Sequence, residues 1–200
     1  MENRVGIVDY GIAGNIHSID KALTKAGART VIIKKSGDFK NVDKIVLPGV
    51  GSFKDAMSEL EKRGLIGSLK EELISKPTLG ICLGMQIFSK IGFEYGKNKG
   101  LGIIEAEVKP MVVDAKIPHM GFNSLEIKRN SILLDGIENE TFYFMHSYEM
   151  VNYTDIVSLT DYSGHKLVSS VQKDNIFGVQ FHPEKSRDAG IRLFQNFINI

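Results

Sequence analysis

Short β-branched runs alternate with amphipathic stretches through the first half of the chain, and their two periods predict different elements. Apolar runs at residues 4–9, 30–33, 44–47 and 77–82 read as buried strands. Between them Ile16, Ile19, Leu23 and Ala26 recur at helical spacing, as do Phe53, Met57 and Leu60, and then Leu65, Leu69 and Leu73. Strands joined by such helices predict a parallel sheet. Beyond about residue 102 the pattern changes. Short apolar runs at 103–108, 125–128, 142–145, 156–159, 167–172 and 176–181, separated by Gly, Asn, Asp and Ser, predict hairpins and mixed pairing. Ile191, Leu193, Phe194, Phe197 and Ile198 then give residues 189–198 the apolar face of a closing helix. The expected fold class is α/β: a mostly parallel central sheet flanked by helices, with a second, smaller mixed or antiparallel sheet. No repeat, low-complexity tract or Pro/Gly/Ser linker interrupts the pattern, so residues 1–200 are expected to form a single domain.

Composition narrows the functional classes. With 42% hydrophobic residues and a formal charge of +1, the chain can bury a substantial core and carries no basic block that would mark a nucleic-acid surface. Its apolar runs are strand-length, too short to span a bilayer, and Glu2 and Asp9 do not fit a signal peptide, so a cytoplasmic protein is expected. One cysteine allows no internal disulfide and no thiolate metal cluster. Cys82 is therefore either a small buried residue or a reactive thiol.

Its surroundings bear on that choice. Gly80-Ile81-Cys82-Leu83-Gly84 follows an apolar strand and precedes residues 85–91, whose spacing is helical. Cys82 is thus expected on a sharp strand-to-helix turn, its thiol near the positive end of a helix, where the thiolate is favoured over the ordinary thiol pKa of about 8.5. From this segment alone an inert cysteine is an equal reading. His182-Pro183-Glu184 tips the balance, because it ends the strand at 176–181 on what should be the same rim of the sheet. An imidazole base and its orienting carboxylate stand two positions apart, with Pro183 fixing the backbone between them. Taken singly, a structural histidine and a solvated glutamate are the better readings. Pro48-Gly49-Val50-Gly51 follows another apolar strand. Its glycines allow a peptide N–H, that of Val50, to turn into the site and bind an oxyanion beside the N–H of Leu83. By itself this segment reads as a plain Pro-Gly turn.

Together with Asp9-Tyr10-Gly11, Gly14-Asn15, Met85-Gln86, Pro118-His119-Met120-Gly121-Phe122-Asn123, His146-Ser147-Tyr148 and Gly178-Val179-Gln180-Phe181-His182-Pro183-Glu184-Lys185-Ser186, these segments resemble the class I (triad) glutamine amidotransferases. Met85, Pro48-Gly49-Val50-Gly51 and the segment from Pro118 to Asn123 are most similar to the branch serving imidazole glycerol phosphate synthase. The resemblance implies Cys82 as nucleophile, His182 as general base, Glu184 as its orienter, and Val50 and Leu83 as oxyanion donors. It implies that Gly51, Gln86, Glu94, His146, Ser147 and Tyr148 hold L-glutamine, the Glu94 carboxylate suiting the α-ammonium group. Asn15, Met120, Phe122 and Lys185 would face the partner, a (β/α)8-barrel cyclase of the HisF type that forms a heterodimer with the chain. The partner would use the ammonia to make imidazole glycerol phosphate and an aminoimidazole carboxamide ribotide in histidine biosynthesis. No metal or other cofactor is implied.

Three departures from the family pattern stand out. The segment at residues 11–15 is one residue longer than usual, Phe122 replaces a Trp, and Glu149 stands where an aromatic is common. They leave room for a paralogue feeding ammonia to a related synthase in surface-sugar modification. A regulatory subunit without activity, or a hydrolase or chaperone sharing only an elbow cysteine, accounts for fewer of these residues. His17 and His165 read as surface or structural.

Overall fold

The four apolar runs of the first half form β1 (Arg4–Val8), β2 (Arg29–Ile33), β3 (Lys44–Leu47) and β4 (Thr78–Ile81), in a computed structural model that describes residues 4–11 and 15–200. They are connected by α1 (Ile16–Ala26), α2 (Phe53–Lys62) and α3 (Leu65–Glu72). Ser52 caps α2 by accepting the Asp55 N–H, and Asp55 adds a negative charge to its first turn. After β4 come a short helix, α4 (Leu83–Gln86), and the strands β5 (Ile91–Gly92), β6 (Asn98–Lys99), β7 (Glu107–Pro110), β8 (His119–Ser124) and β9 (Glu126–Ile127). The chain ends with β10 (Thr141–His146), β11 (Tyr148–Val151), β12 (Ile156–Tyr162), β13 (His165–Lys173), β14 (Ile176–Val179) and α5 (Arg187–Asn199).

The eight-stranded main sheet has the order β2-β1-β3-β4-β14-β13-β12-β9. Pairing is parallel from β2 through β14 and antiparallel beyond. Strands β3, β4 and β14 are buried along their whole length, which is why they read as continuous apolar runs. On one face α1 and α5 pack Ile19, Leu23, Leu193, Phe194 and Phe197 against Val46, Leu79 and Phe177. On the other face α2 and α3 pack Phe53, Leu60, Leu65 and Leu69 against Ile45 and Leu47. Burying each such side chain contributes roughly 1.5–3 kcal/mol.

Register positions the site. Leu47 pairs with Gly80, and Gly80 with Gly178, so β3, β4 and β14 reach the same rim nearly level. The segments leaving those three strands begin with Pro48, Cys82 and Gln180. Ligands bind at such carboxyl-terminal rims of parallel sheets.

Several boundaries differ from those the pattern predicts. Among the described residues there are two smaller sheets, a two-stranded β10-β8 pair and a four-stranded mixed sheet in the order β11-β7-β5-β6. Helix α4 stops at Gln86, and Ile91 lies in β5, so residues 85–91 are not one helix. The returning chain takes the carbonyls a helix would need: Leu101 N–H bonds Ile87 O, Gly102 N–H bonds Ser89 O, and the N–H groups of Ile103 and Ile104 bond Phe88 O. The same bonds hold Ile103 and Ile104 out of a strand, and β7 starts at Glu107.

Candidate active site

Cys82 sits between β4 and α4 with φ 49° and ψ −106°, a conformation that costs a non-glycine residue of order 1–3 kcal/mol. Its N–H donates to Val179 O at 2.7 Å, and its carbonyl accepts the Gln86 N–H, so neighbouring elements hold the strain. Gly84 lets the turn press against β3, since a Cβ there would lie 2.1 Å from Leu47 O. The sulfur is buried yet borders a cavity.

The segment after β14 brings His182 to the same cavity. Its N–H donates to Tyr143 O at 2.8 Å, and the Ser186 hydroxyl donates to His182 O at 2.7 Å, fixing the backbone against β10. His182 Nδ1 lies 2.8 Å from Glu184 Oε1, and both side chains are fully buried. Burial opposes the imidazolium, but the charges of Cys82 and Glu184 outweigh it and push His182 up to about 10. Burial would likewise raise Glu184, but hydrogen bonds from His182 and Asn15 hold it below the usual carboxylate range. With Nδ1 on the carboxylate, Nε2 is the ring atom left for proton transfer, and it has no hydrogen-bond partner among the described residues.

Asn15 ties this corner to the segment after β3. Its Nδ2 donates to Glu184 Oε1 at 2.8 Å and its Oδ1 accepts the Gly49 N–H at 3.4 Å. From the other side the Tyr10 hydroxyl donates to Pro48 O. Burial pushes that phenol far above its ordinary value, with the charge at Cys82 adding to the effect, so it stays a donor. Asn15 was expected to face a partner, but its side chain is 4% exposed and turned inward onto Glu184. The stretch that makes the preceding loop one residue longer, Ile12-Ala13, lies outside the described residues.

A cavity of about 450 Å³ joins the pieces, a size ample for an amino-acid side chain and backbone. It is lined by Val50 and Leu83, by Cys82 and His182, and by all six residues expected to hold glutamine: Gly51, Gln86, Glu94, His146, Ser147 and Tyr148. Glu184 stands behind His182, away from the lining. Glu94 Oε2 accepts the Phe53 N–H at 2.7 Å, and burial raises its carboxyl, an effect a bound cation would offset. His146 Nδ1 lies 2.9 Å from Tyr148 O, so it must carry the hydrogen. His146 Nε2 then accepts from His119 Nδ1 at 3.2 Å. Burial pushes His146 down to about 3 and His119 to about 4, leaving both rings neutral at pH 7.

Outside the cavity, β8 and β10 present a different surface. Met120 is 57% and Phe122 42% exposed, and they pair with Met145 and Tyr143. The Arg187 guanidinium lies 4.6 Å over the Phe122 ring, and the exposed Lys185 lies 5.8 Å over Tyr143. Glu149 has a local explanation: it is buried and holds His165 Nε2 with both oxygens at 2.9 Å. His17 is exposed. The sequence reading does not single out Tyr10, Pro118, Met145 or Gln180, although Pro118 and Met145 line the cavity. Gln180 left one signal, an amide inside an otherwise apolar run.

A thiol, an imidazole backed by a carboxylate, and peptide groups beside a polar cavity are the parts of nucleophilic acyl transfer. The family model described as glutamine amidotransferase class-I matches residues 7–200, and the chain belongs to that class. Within it, similar relatives include synthase subunits. The imidazole glycerol phosphate synthase subunit HisH 1 of Campylobacter jejuni (strain RM1221) is 48% identical over 201 residues, covering 98% of this chain and 100% of the relative. The HisH subunit of Aquifex aeolicus (strain VF5) is 42% identical over 201 residues, covering 97% and 95%. Among solved structures, a glutamine amidotransferase superposes with a TM-score of 0.77 at 17% identity, covering 98% of this chain and 99% of that one. PurLQS from Thermotoga maritima gives 0.79 at 18%, covering 100% and 99%. At those identities the two structures speak for the fold alone.

Proposed function

We propose that the chain is the glutaminase subunit of an imidazole glycerol phosphate synthase, hydrolysing L-glutamine at Cys82 and passing the ammonia to a cyclase. The observation that carries this reading is the convergence of Cys82 and the His182–Glu184 pair on one cavity, from strand ends that the register of the sheet holds level. The thiol proton goes to His182 Nε2, and the thiolate attacks the side-chain amide carbon of glutamine. The N–H groups of Val50 and Leu83 receive the oxyanion of the tetrahedral intermediate. The imidazolium returns its proton to the departing nitrogen, the C–N bond breaks, ammonia leaves and a γ-glutamyl thioester remains on Cys82. Water, deprotonated by His182, then attacks the thioester, releasing glutamate and the thiol. Gly51, Ser147 and Tyr148 hold the substrate backbone, and Glu94 and Gln86 its ammonium group.

The partner is a (β/α)8-barrel cyclase of the HisF type, docked in a heterodimer on the face that carries Met120, Phe122 and Lys185. The names of the relatives support histidine biosynthesis as the pathway and lend nothing to surface-sugar modification. The complex works in the cytoplasm. No helix among the described residues is long and apolar enough to cross a membrane. The test is Cys82→Ala in the assembled complex. Glutamine-dependent synthesis is expected to vanish while synthesis from added ammonium salt persists. Residual glutaminase turnover in that variant would overturn the mechanism.

A further inference from the structure

Gln180 is completely buried between β14 and His182, and neither the reaction above nor the cavity lining uses it. Its backbone N–H donates to Ser169 O at 2.9 Å, which anchors it to β13. Its side chain makes two contacts that matter. Nε2 lies 3.4 Å from Cys82 Sγ, and Oε1 lies 3.0 Å from Gln86 Nε2. Gln86 Nε2 also donates to Tyr148 O at 3.0 Å.

One carbonyl fixes the direction of this whole chain. Tyr148 O can only accept, so Gln86 must present its nitrogen there. The second hydrogen on that nitrogen needs an acceptor, so Gln180 must turn its oxygen towards Gln86. The NH2 end of Gln180 is then the end that faces sulfur. Flipping either amide would set two donors or two acceptors against each other in a dry interior. Local spacing agrees. Gln180 lies 3.4 Å from the Cys82 sulfur and His182 lines the same cavity as Cys82, while Phe181 between them packs in the core with Phe142.

Resting on the reading of Cys82 as the nucleophile, we propose that Gln180 is a positioning residue that donates an N–H to the Cys82 sulfur. A neutral thiol is a weak acceptor, whereas a thiolate takes a charge-assisted hydrogen bond, so this contact favours the ionised sulfur. When the thiol proton passes to His182 Nε2, Gln180 holds the charge left behind on sulfur. The contact serves the reaction twice: before attack, and again when the thioester breaks and negative charge returns to sulfur. Through Gln86 and Tyr148 O it also joins the nucleophile to the backbone of the substrate pocket.

The discriminating variant is Gln180→Glu, which keeps the shape and the acceptor for Gln86 but turns an oxygen towards sulfur. Gln180→Asn retains the amide but withdraws it from sulfur. Both are assayed in complex with the cyclase subunit, with ammonium-dependent synthesis reporting that the complex is folded and docked. Expected are a fall in glutaminase kcat of about tenfold or more with KM changed less than about threefold, and a pH profile for iodoacetamide alkylation of Cys82 displaced to higher pH. Gln180→Glu should be the worse of the two. An unmoved alkylation profile with normal kcat, in either variant that retains ammonium-dependent synthesis, overturns the inference. Glutaminase activity surviving in Cys82→Ala would instead overturn the reading beneath it, so the two failures are distinguishable.

Discussion

The corner around His182 and the face formed by β8 and β10 meet at Tyr143, whose carbonyl accepts the His182 N–H and whose ring touches Phe122, and they are built on opposite principles. In the corner His182 and Glu184 are fully buried, each charge has a partner, and Asn15 ties the carboxylate to the segment after β3. On the outer face Met120 and Phe122 are held out to solvent beside Lys185 and Arg187. Paired buried charges are expensive to disturb and fix a geometry before substrate arrives. Exposed apolar side chains stabilise little in the free chain and await a surface to cover them. The corner satisfies its charges from within the chain, whereas the outer face leaves Met120 and Phe122 uncovered.

The largest effect should come from breaking the corner. His182→Ala should lower glutaminase kcat roughly 10⁴-fold, and combining it with Cys82→Ala should add little, because members of a triad act as one unit. Fully additive losses would show that the two residues serve different steps. Glu184→Gln should be milder and should move the pH profile. His182 stands at about 10, so its imidazolium, and with it the acid that protonates the leaving nitrogen, is lost only as pH rises through that value. Removing the carboxylate lowers His182, and the alkaline limb of kcat should shift to lower pH. A limb that stays in place would detach Glu184 from the titration.

Next in size is the link through Asn15. Asn15→Leu removes the acceptor for the Gly49 N–H and a charge-assisted bond to Glu184, the latter on the order of 1.5–3 kcal/mol when buried, so a loss of about 10- to 100-fold in glutaminase kcat is expected. Because the side chain points inward, affinity for the cyclase measured by titration should change much less. Equal losses in binding would return Asn15 to the interface.

Substitutions on the outer face should show the reverse pattern. Phe122→Ala should weaken cyclase binding by roughly 1–2 kcal/mol while leaving the melting temperature of the free chain nearly unchanged. The free chain itself should turn over glutamine only feebly until the cyclase is added. High turnover without a partner would erase the distinction between the two regions.

The smallest effect concerns acid stability. His119 and His146 are held neutral in the folded chain, near 4 and 3, and regain an ordinary value near 6.5 on unfolding. A depressed folded value means that the unfolded chain takes up protons first, so stability present above about 6.5 is lost as pH falls towards 4. Between pH 7 and pH 6 each ring should cost roughly 0.7 kcal/mol, read from urea unfolding. His119→Phe should flatten that slope, and an unchanged slope would mean that other groups govern it.

Sequence by itself determined the parallel half of this protein. Strands buried on both faces must be apolar throughout, so β1, β3 and β4 stand out wherever they occur, and helical periodicity marks the crossovers between them. It also determined which residues could be chemically active, because a cysteine between glycines and a His-Pro-Glu after a strand are unusual local solutions. The second half was less legible. Strand β8 carries His119, Gly121 and Asn123 on alternate positions, which hides its period, and the end of α4 is set by carbonyls that residues 101–104 claim from elsewhere in the chain. Only tertiary structure decided what the polar side chains do. Asn15 lies 169 positions from Glu184, and Gln180 lies 98 from Cys82, so no local pattern records that they touch. A buried amide must satisfy whatever donor or acceptor the fold brings to it, and that partner is chosen by strand order and register.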